Sequence, residues 1–208
     1  MKRALQQAFV WPFLFLAACA SAGPVASPGA AHHPAQQLPA TAGAGYAAAD
    51  VRFMQHMIGH HAQALVMAAM APTHGAGSQL LKLAEKIDIS QRDEIGMMEA
   101  WLVERNQPLP DDHAMHGMLM PGMLTPEQLG QLDAARGLEF ERLFLRFMIG
   151  HHEGALQMVD ELFDHPTAAQ DPDIFRFATD VVADQLAEID QMRYLLDTLD
   201  PNPGREST

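Results

Sequence analysis

Between positions 46 and 200 the apolar residues recur at intervals of three and four, and no stretch shows the strict alternation of a half-buried strand. Ala, Leu, Met, Gln and Glu dominate these stretches and no long β-branched run interrupts them, so the pattern predicts helices. A first helix is expected from about Asp50 to Ala71, stopped by Pro72, with Gly75 and Gly77 in the turn that follows. A second should run from about Ser78 to Arg105, ahead of Pro108 and Pro110. Thr125-Pro126-Glu127-Gln128 offers an N-cap, a proline in the first turn and a Gln at the capping-box position, which starts a short helix. That leads into a third long helix, about Glu139 to Asp164, ended by Pro166. Asp171-Pro172 opens a fourth, which closes near Leu199 before Pro201. Two short-turn hairpins, 46–106 and 125–200, joined by a linker over 107–124, give an all-α four-helix bundle.

The hairpins repeat one another. Phe53-Met54-Gln55-His56-Met57-Ile58-Gly59-His60-His61-Ala62-Gln63-Ala64-Leu65-Val66-Met67 returns 91 positions later as Phe144-Leu145-Arg146-Phe147-Met148-Ile149-Gly150-His151-His152-Glu153-Gly154-Ala155-Leu156-Gln157-Met158. A companion segment, Gln91-Arg92-Asp93-Glu94-Ile95-Gly96-Met97-Met98, returns as Gln185-Leu186-Ala187-Glu188-Ile189-Asp190-Gln191-Met192. Two copies are too few for a solenoid and point to a pseudo-twofold domain.

Ahead of the bundle, Lys2 and Arg3 precede an apolar run over 8–18, which is too short to cross a bilayer and has the layout of an export signal. It ends in Leu16-Ala17-Ala18-Cys19, which resembles a bacterial lipobox, so residues 1–18 are expected to be a signal peptide cut before an acylated Cys19. Ordinary export with cleavage after Ala22 is the alternative. Residues 19–45, rich in Ala, Gly and Pro, should form an unstructured tether, in which His32-His33 reads as a solvated pair. Residues 201–208 should be a disordered tail.

Composition sharpens this picture. Thirteen basic residues face 26 acidic ones, a net charge of −13, which argues against nucleic acid as a partner. Fourteen Met and 11 His stand beside a single Cys, so thioether and imidazole are the donors in excess and no disulfide framework can form.

At about 100° per residue, Phe53, Met57, His60, Ala64 and Met67 share one inward stripe, and Phe144, Met148, His151, Ala155 and Met158 share its repeat. His61 and His152 lie on the flanks. Residues three and four apart have Cβ atoms roughly 5–6 Å apart, so Met57 can share an ion with His60 or His61, and Met148 with His151 or His152. His56 is four residues before His60, and Phe147 takes its place in the second copy. This donor set suits Cu(I) and, by the same softness, Ag(I), with Cu(II) reachable through imidazole. Thioethers lose no proton on binding, and they escape the oxidation that would threaten a Cys site outside the cytoplasm. The bland alternative is core methionine and hydrogen-bonded core histidine, and Met98 and Met192 read that way. Glu94 and Glu188 are positioned to orient the histidines by hydrogen bonding. In the linker, Asp111-Asp112-His113-Ala114-Met115-His116-Gly117-Met118-Leu119-Met120-Pro121-Gly122-Met123 gathers two His and four Met. His113, Met115, His116, Met118 and Met120 are therefore expected to form a mobile donor cluster that captures or hands over copper. The alternative is a loop whose methionines fold back as a lid.

On the doubled Met-Ile-x-His-His-x-x-Ala-x-x-Met signature and its Gln-x-x-Glu-Ile-x-x-Met companion, the chain resembles the CopM-like family of exported bacterial copper-binding proteins, domain of unknown function 305. The resemblance covers residues 46 to 199. It implies a ferritin-like four-helix bundle, a role in copper homeostasis and the ligands Met57, His60, His61, Met67, Met148, His151, His152 and Met158. A di-iron or di-manganese enzyme would expect Glu-x-x-His on two helices, and no such motif occurs. A metal-free lipoprotein that binds another protein is the third reading. No nucleophile motif or phosphate loop is present, so a binding protein rather than an enzyme is expected, with copper ions, a membrane reached through the lipid anchor and a copper-transfer protein as partners.

Overall fold

The computed structural model describes residues 40–110 and 120–199, so the signal peptide, Cys19, the His32-His33 pair, His113, Met115, His116, Met118 and the tail lie outside the described residues. Four long helices and one short one follow in order: α1 Ala48–Met70, α2 Ser78–Glu104, α3 Pro126–Ala134, α4 Gly137–Asp164 and α5 Pro172–Leu199. A 3₁₀ turn, Ala71–Thr73, carries Pro72 at the end of α1, where that ring can no longer continue the α-helix. The bundle is all-α. Among the described residues the only extended pairing is an isolated bridge between Gly43 and Tyr46.

α1 packs on α2, α4 packs on α5, and the two hairpins meet along α1 and α4. Those central helices carry the doubled signature, so the repeat is what places the histidines at the centre. Thr125 caps α3 as its sequence requires: its hydroxyl accepts from the Gln128 amide at 3.3 Å, and the Gln128 side chain accepts from the Thr125 amide at 2.9 Å. Asp171 caps α5 by accepting from the Asp173 amide at 2.8 Å. Its other oxygen takes a 2.9 Å bond from Arg105, whose guanidinium also lies over the Trp101 ring at 4.3 Å. Buried Asp50 ties the hairpins at that end, accepting from the Ala47 amide at 2.8 Å and the Ala169 amide at 2.7 Å.

The expected tether needs one correction. Its last residues, from position 40, are docked: the Thr41 hydroxyl donates to Gln107 at 3.1 Å, and Tyr46 meets Trp101 edge-on at 5.3 Å. A large aromatic just beyond a Gly-rich run finds an apolar surface at the end of α2, and the backbone before it follows.

The core divides into two apolar clusters. One holds Met57, Met98, Met120, Ala155 and Met158; the other holds Ala64, Met67, Phe144, Met148 and Met192. Since α1 and α4 run antiparallel, the early half of each helix joins the late half of the other. The histidines lie between.

Candidate metal centre

His60, His61, His151 and His152 are all buried, the most exposed at 1%. The His60 and His151 rings stack across the α1–α4 interface with centroids 3.8 Å apart, and each lies 6.3 Å from its sequence neighbour's ring. The four imidazoles thus form one layer with the pseudo-twofold symmetry of the repeat.

Each flanking histidine is held by the companion segment of its own hairpin. His61 Nε2 meets the Glu94 carboxylate at 2.5 Å, and His152 Nε2 meets Glu188 at 2.8 Å. A carboxylate only accepts, so Nε2 carries a hydrogen and Nδ1 is the nitrogen left to face a metal. This is the carboxylate–histidine arrangement that fixes the tautomer of a metal-binding ring. Burial pushes the Glu188 carboxyl up, but the His152 hydrogen bond and the charges of His152 and Lys86 outweigh it and hold it below its usual range.

His60 Nε2 donates to the Pro121 carbonyl at 3.0 Å. Burial, then repulsion from His61 and His152 against the opposing Pro121 bond, lowers the His60 pKa to about 3. Burial, followed by the neighbouring imidazoles, holds His151 well below the ordinary histidine range; the His60 backbone lies near that ring but completes no hydrogen bond with it. Both rings of the stack are therefore neutral at physiological pH.

The decisive feature is what these rings lack. His60 Nδ1, His61 Nδ1, His152 Nδ1 and both nitrogens of His151 are buried without a hydrogen-bond partner. Each orphaned acceptor or donor costs roughly 1–3 kcal/mol. A layer of imidazoles in which the stacked pair is neutral and five buried nitrogens lack a partner fits a small cation. Among the described residues no three His, Cys, Asp or Glu side chains converge as a ready-made cage, so the layer offers imidazole pairs rather than a high-coordination site. That suits a soft ion content with few ligands and does not suit a carboxylate-bridged di-metal centre, whose carboxylates would have to face the metals. Here Glu94 and Glu188 are engaged by imidazole.

The thioethers are placed less uniformly. Met57 and Met148, three residues before the stacked histidines, are fully buried in opposite clusters, and Met67 is likewise enclosed. Met98 and Met192 are core, as expected. Met158 also borders an outer cavity with His56 and Met120, a second setting beside the four-histidine layer to which spacing alone linked His56. His56 is half-buried, and burial together with the Arg52 charge lowers its pKa.

The described end of the linker, from Met120, is docked on the bundle as a lid, while His113, Met115, His116 and Met118 of the expected donor cluster lie outside the described residues. Met120 is 8% exposed and packs into the core. Pro121 and Gly122 lie backbone-to-backbone on α4 at Gly150 and Gly154, where a Cβ on Gly154 would collide with the Pro121 carbonyl. Gly122 takes φ +75°, open to glycine at no cost. At the equivalent place on α1, Gln63 pins the loop, accepting from the Leu124 amide at 2.7 Å and donating to its carbonyl at 3.0 Å. Gln63, Gly154 and Pro121 were not singled out by sequence, although Gln63 opposite Gly154 is a visible break in the repeat.

A family model described as domain of unknown function (DUF305) matches residues 50–196. Among solved structures, a DUF305 fragment from Deinococcus radiodurans is 35% identical with a TM-score of 0.63, covering 72% of this chain and 96% of that one. A candidate secreted DUF305 protein from Streptomyces coelicolor is 28% identical with a TM-score of 0.64, covering 76% of this chain and 98% of that one. CopM in its Cu(I)-bound form is 30% identical with a TM-score of 0.58, covering 72% of this chain and 96% of that one, and CopM has also been solved with Cu(II) and with Ag. No protein of curated function matches the chain.

Proposed function

The chain belongs to the DUF305 family, and from that premise we propose that it is a copper-binding protein, not an enzyme, that sequesters, buffers or hands over Cu(I) outside the cytoplasm. The observation that carries this reading is the layer of four buried histidines, each presenting at least one nitrogen without a partner, two of them oriented by carboxylates. CopM, which shares the fold, has been solved with Cu(I), Cu(II) and Ag, which supports copper or silver as the cargo. Cu(I) is favoured because neutral imidazole and thioether match its softness and its tolerance of few ligands. The layer would hold the ion through His60, His61, His151 and His152, with Met57 and Met148 the nearest thioethers by helical spacing.

The reading includes export and a lipid anchor on Cys19 that leaves the bundle tethered at a membrane surface. Among the described residues no helix is long and apolar enough to cross a membrane. The linker donors His113, Met115, His116 and Met118 would capture ions or hand them over.

Anaerobic titration of the purified chain with a Cu(I)–chelator complex tests the centre. The wild type should compete with sub-micromolar affinity or better, and replacing His60, His61, His151 and His152 with Ala should lower the stoichiometry while helicity is kept. Undiminished stoichiometry in a folded variant would reject the layer. Mass spectrometry of membrane-extracted protein should find Cys19 acylated.

A further inference from the structure

We propose that the cavity between the start of α1 and the end of α4 is a second soft-metal site, in which His56, Met120, Met158 and His165 bind one Cu(I) or Ag(I) ion apart from the buried histidine layer. It deepens the copper reading and rests on it, by giving the ion a station reachable from solvent.

The cavity has a volume of about 230 Å³, and its wall includes these four side chains. Two imidazoles and two thioethers from four segments line it: α1, the linker end, α4 and the turn after α4. Among the described residues no hydrogen bond engages the His56 ring, which is half-buried. His165 is exposed, and its Nδ1 has only long contacts, 3.4 Å, to the Thr167 amide and hydroxyl, so Nε2 is available. Met120 and Met158 are nearly buried, which keeps the sulfurs in a low-dielectric wall while the imidazoles stand at the mouth. Arg52 and Glu161 also line the cavity. Their opposite charges leave no net negative field to draw a hard divalent ion, so the donor chemistry decides in favour of a soft monovalent one.

The repeat supplies an internal comparison. The counterparts of His56, Met158 and His165 in the other hairpin are Phe147, Met67 and His74. His74 is committed elsewhere: its Nε2 donates to the Asp133 carbonyl at 3.0 Å, Nδ1 meets the Thr73 hydroxyl at 2.9 Å, and the ring packs on Phe140. With Phe in place of His and the remaining imidazole satisfied, that half has no equivalent site. The chain should therefore carry one such site, not two.

Its position explains why it matters. Met120 of the outer cavity is bonded to Pro121, whose carbonyl holds His60 of the inner layer. A single segment thus touches both stations, and an ion bound outside sits at the lid over the inner one.

The test uses the mature full chain with methionine methyl groups labelled with carbon-13 and silver nitrate as the probe. Ag(I) should shift the Met120 and Met158 methyl resonances together, saturating at one equivalent. His56→Phe, which copies the residue the fold already accepts in the repeat, combined with His165→Ala at an exposed position, should abolish that shift and remove one equivalent. The His60, His61, His151 and His152 to Ala variant should keep it. Unmoved Met120 and Met158 methyls in the wild type, or full stoichiometry in the folded double variant, would overturn the proposal. His165→Ala alone cannot unfold the bundle, and it should weaken the outer equivalent at least tenfold; no weakening counts against the site. If instead the four-histidine variant loses nothing, the buried layer fails and the outer site stands alone.

Discussion

The imidazoles of His60 and His151 stack at 3.8 Å with their planes inclined by 38°, each supplied by the same position of a repeated helix. Neither can be protonated without placing a charge in the core beside other imidazoles, which is why His60 falls to about 3 and His151 falls well below its ordinary value.

A pH dependence follows from that depression. In the unfolded chain these rings take up protons near pH 6.5, while the fold refuses them down to about 3 for His60. Where the unfolded state binds more protons, stability rises with pH. The contribution is therefore whole above about pH 6.5 and is lost progressively as pH falls towards the folded values. Glu188, held below the usual carboxylate range, adds its own loss only in more acidic solution. Urea midpoints should fall between pH 7 and about 5, and replacing both His60 and His151 with Leu should flatten that interval. An unchanged midpoint across it would show that the rings are not kept neutral. Copper binding by the stacked pair should also persist through the same interval, because His60 and His151 take up no proton there.

Glu94 and Glu188 set the orientation of the flanking histidines, so their substitution should act on metal affinity and leave stability largely intact. Glu94→Gln keeps an oxygen to accept from His61 Nε2 but removes the charge, and Glu188→Gln does the same for His152. Each should weaken Cu(I) binding by roughly 10–100-fold, the usual effect of disturbing a ligand's outer partner. Chelator competition measures it, with circular dichroism confirming an intact bundle. A variant as tight as wild type would reduce the carboxylates to core satisfaction.

Gly154 is where the lid meets the bundle. Gly154→Ala drives a methyl into the Pro121 carbonyl, so the loop must move and His60 loses its acceptor. The cost should be about 1–3 kcal/mol in chemical denaturation, typical of overpacking at a close contact. Gly96→Ala is the control: it is an exposed position within α2 with nothing near its would-be Cβ. It should stabilise by about 0.5–1 kcal/mol, because glycine within a helix carries the larger entropy loss. A Gly154→Ala variant no less stable than Gly96→Ala would mean that the lid is not docked there.

The helices were legible because their punctuation is local: Pro72, Pro126, Pro166 and Pro172 and the Thr125–Gln128 box fix ends through residues adjacent in sequence. The inward histidine stripes were legible because one register repeats twice, and the companion segment sharing that repeat marked Glu94 and Glu188 as acceptors for histidine, though not which ring each would take. Long-range choices were not. Periodicity puts His56 on the same side of α1 as His60, but one turn earlier it meets the outer cavity with Met158 from the far end of α4. Nothing local tells which of two methionines on a stripe turns towards a histidine and which towards a groove. The docked lid depends on Gly154 facing Pro121, residues whose meeting is created by the bundle itself. Likewise Tyr46 fixes the chain ahead of α1 only because the end of α2 carries Trp101.

The stacked pair should also separate function from stability. If His60 and His151 were kept for packing, replacing both with Leu would lose favourable contacts and lower the melting temperature. The unpaired nitrogens argue the opposite sign. His60 Nδ1 and both nitrogens of His151 are desolvated without partners, at roughly 1–3 kcal/mol each, and Leu carries no such group. Freed of that cost, the metal-free double variant should melt at or above the wild-type temperature at neutral pH, the pattern expected where a site is held at the expense of stability. Excess Cu(I) should then reverse the order, since an ion at 100 times its dissociation constant stabilises the folded state by about 2.7 kcal/mol and the variant has lost its central ligands. Thermal melts of both proteins, with and without Cu(I) under anaerobic conditions, decide it. A variant that melts lower without metal and gains as much as wild type with it would assign the stacked imidazoles to the core and leave copper to the other donors.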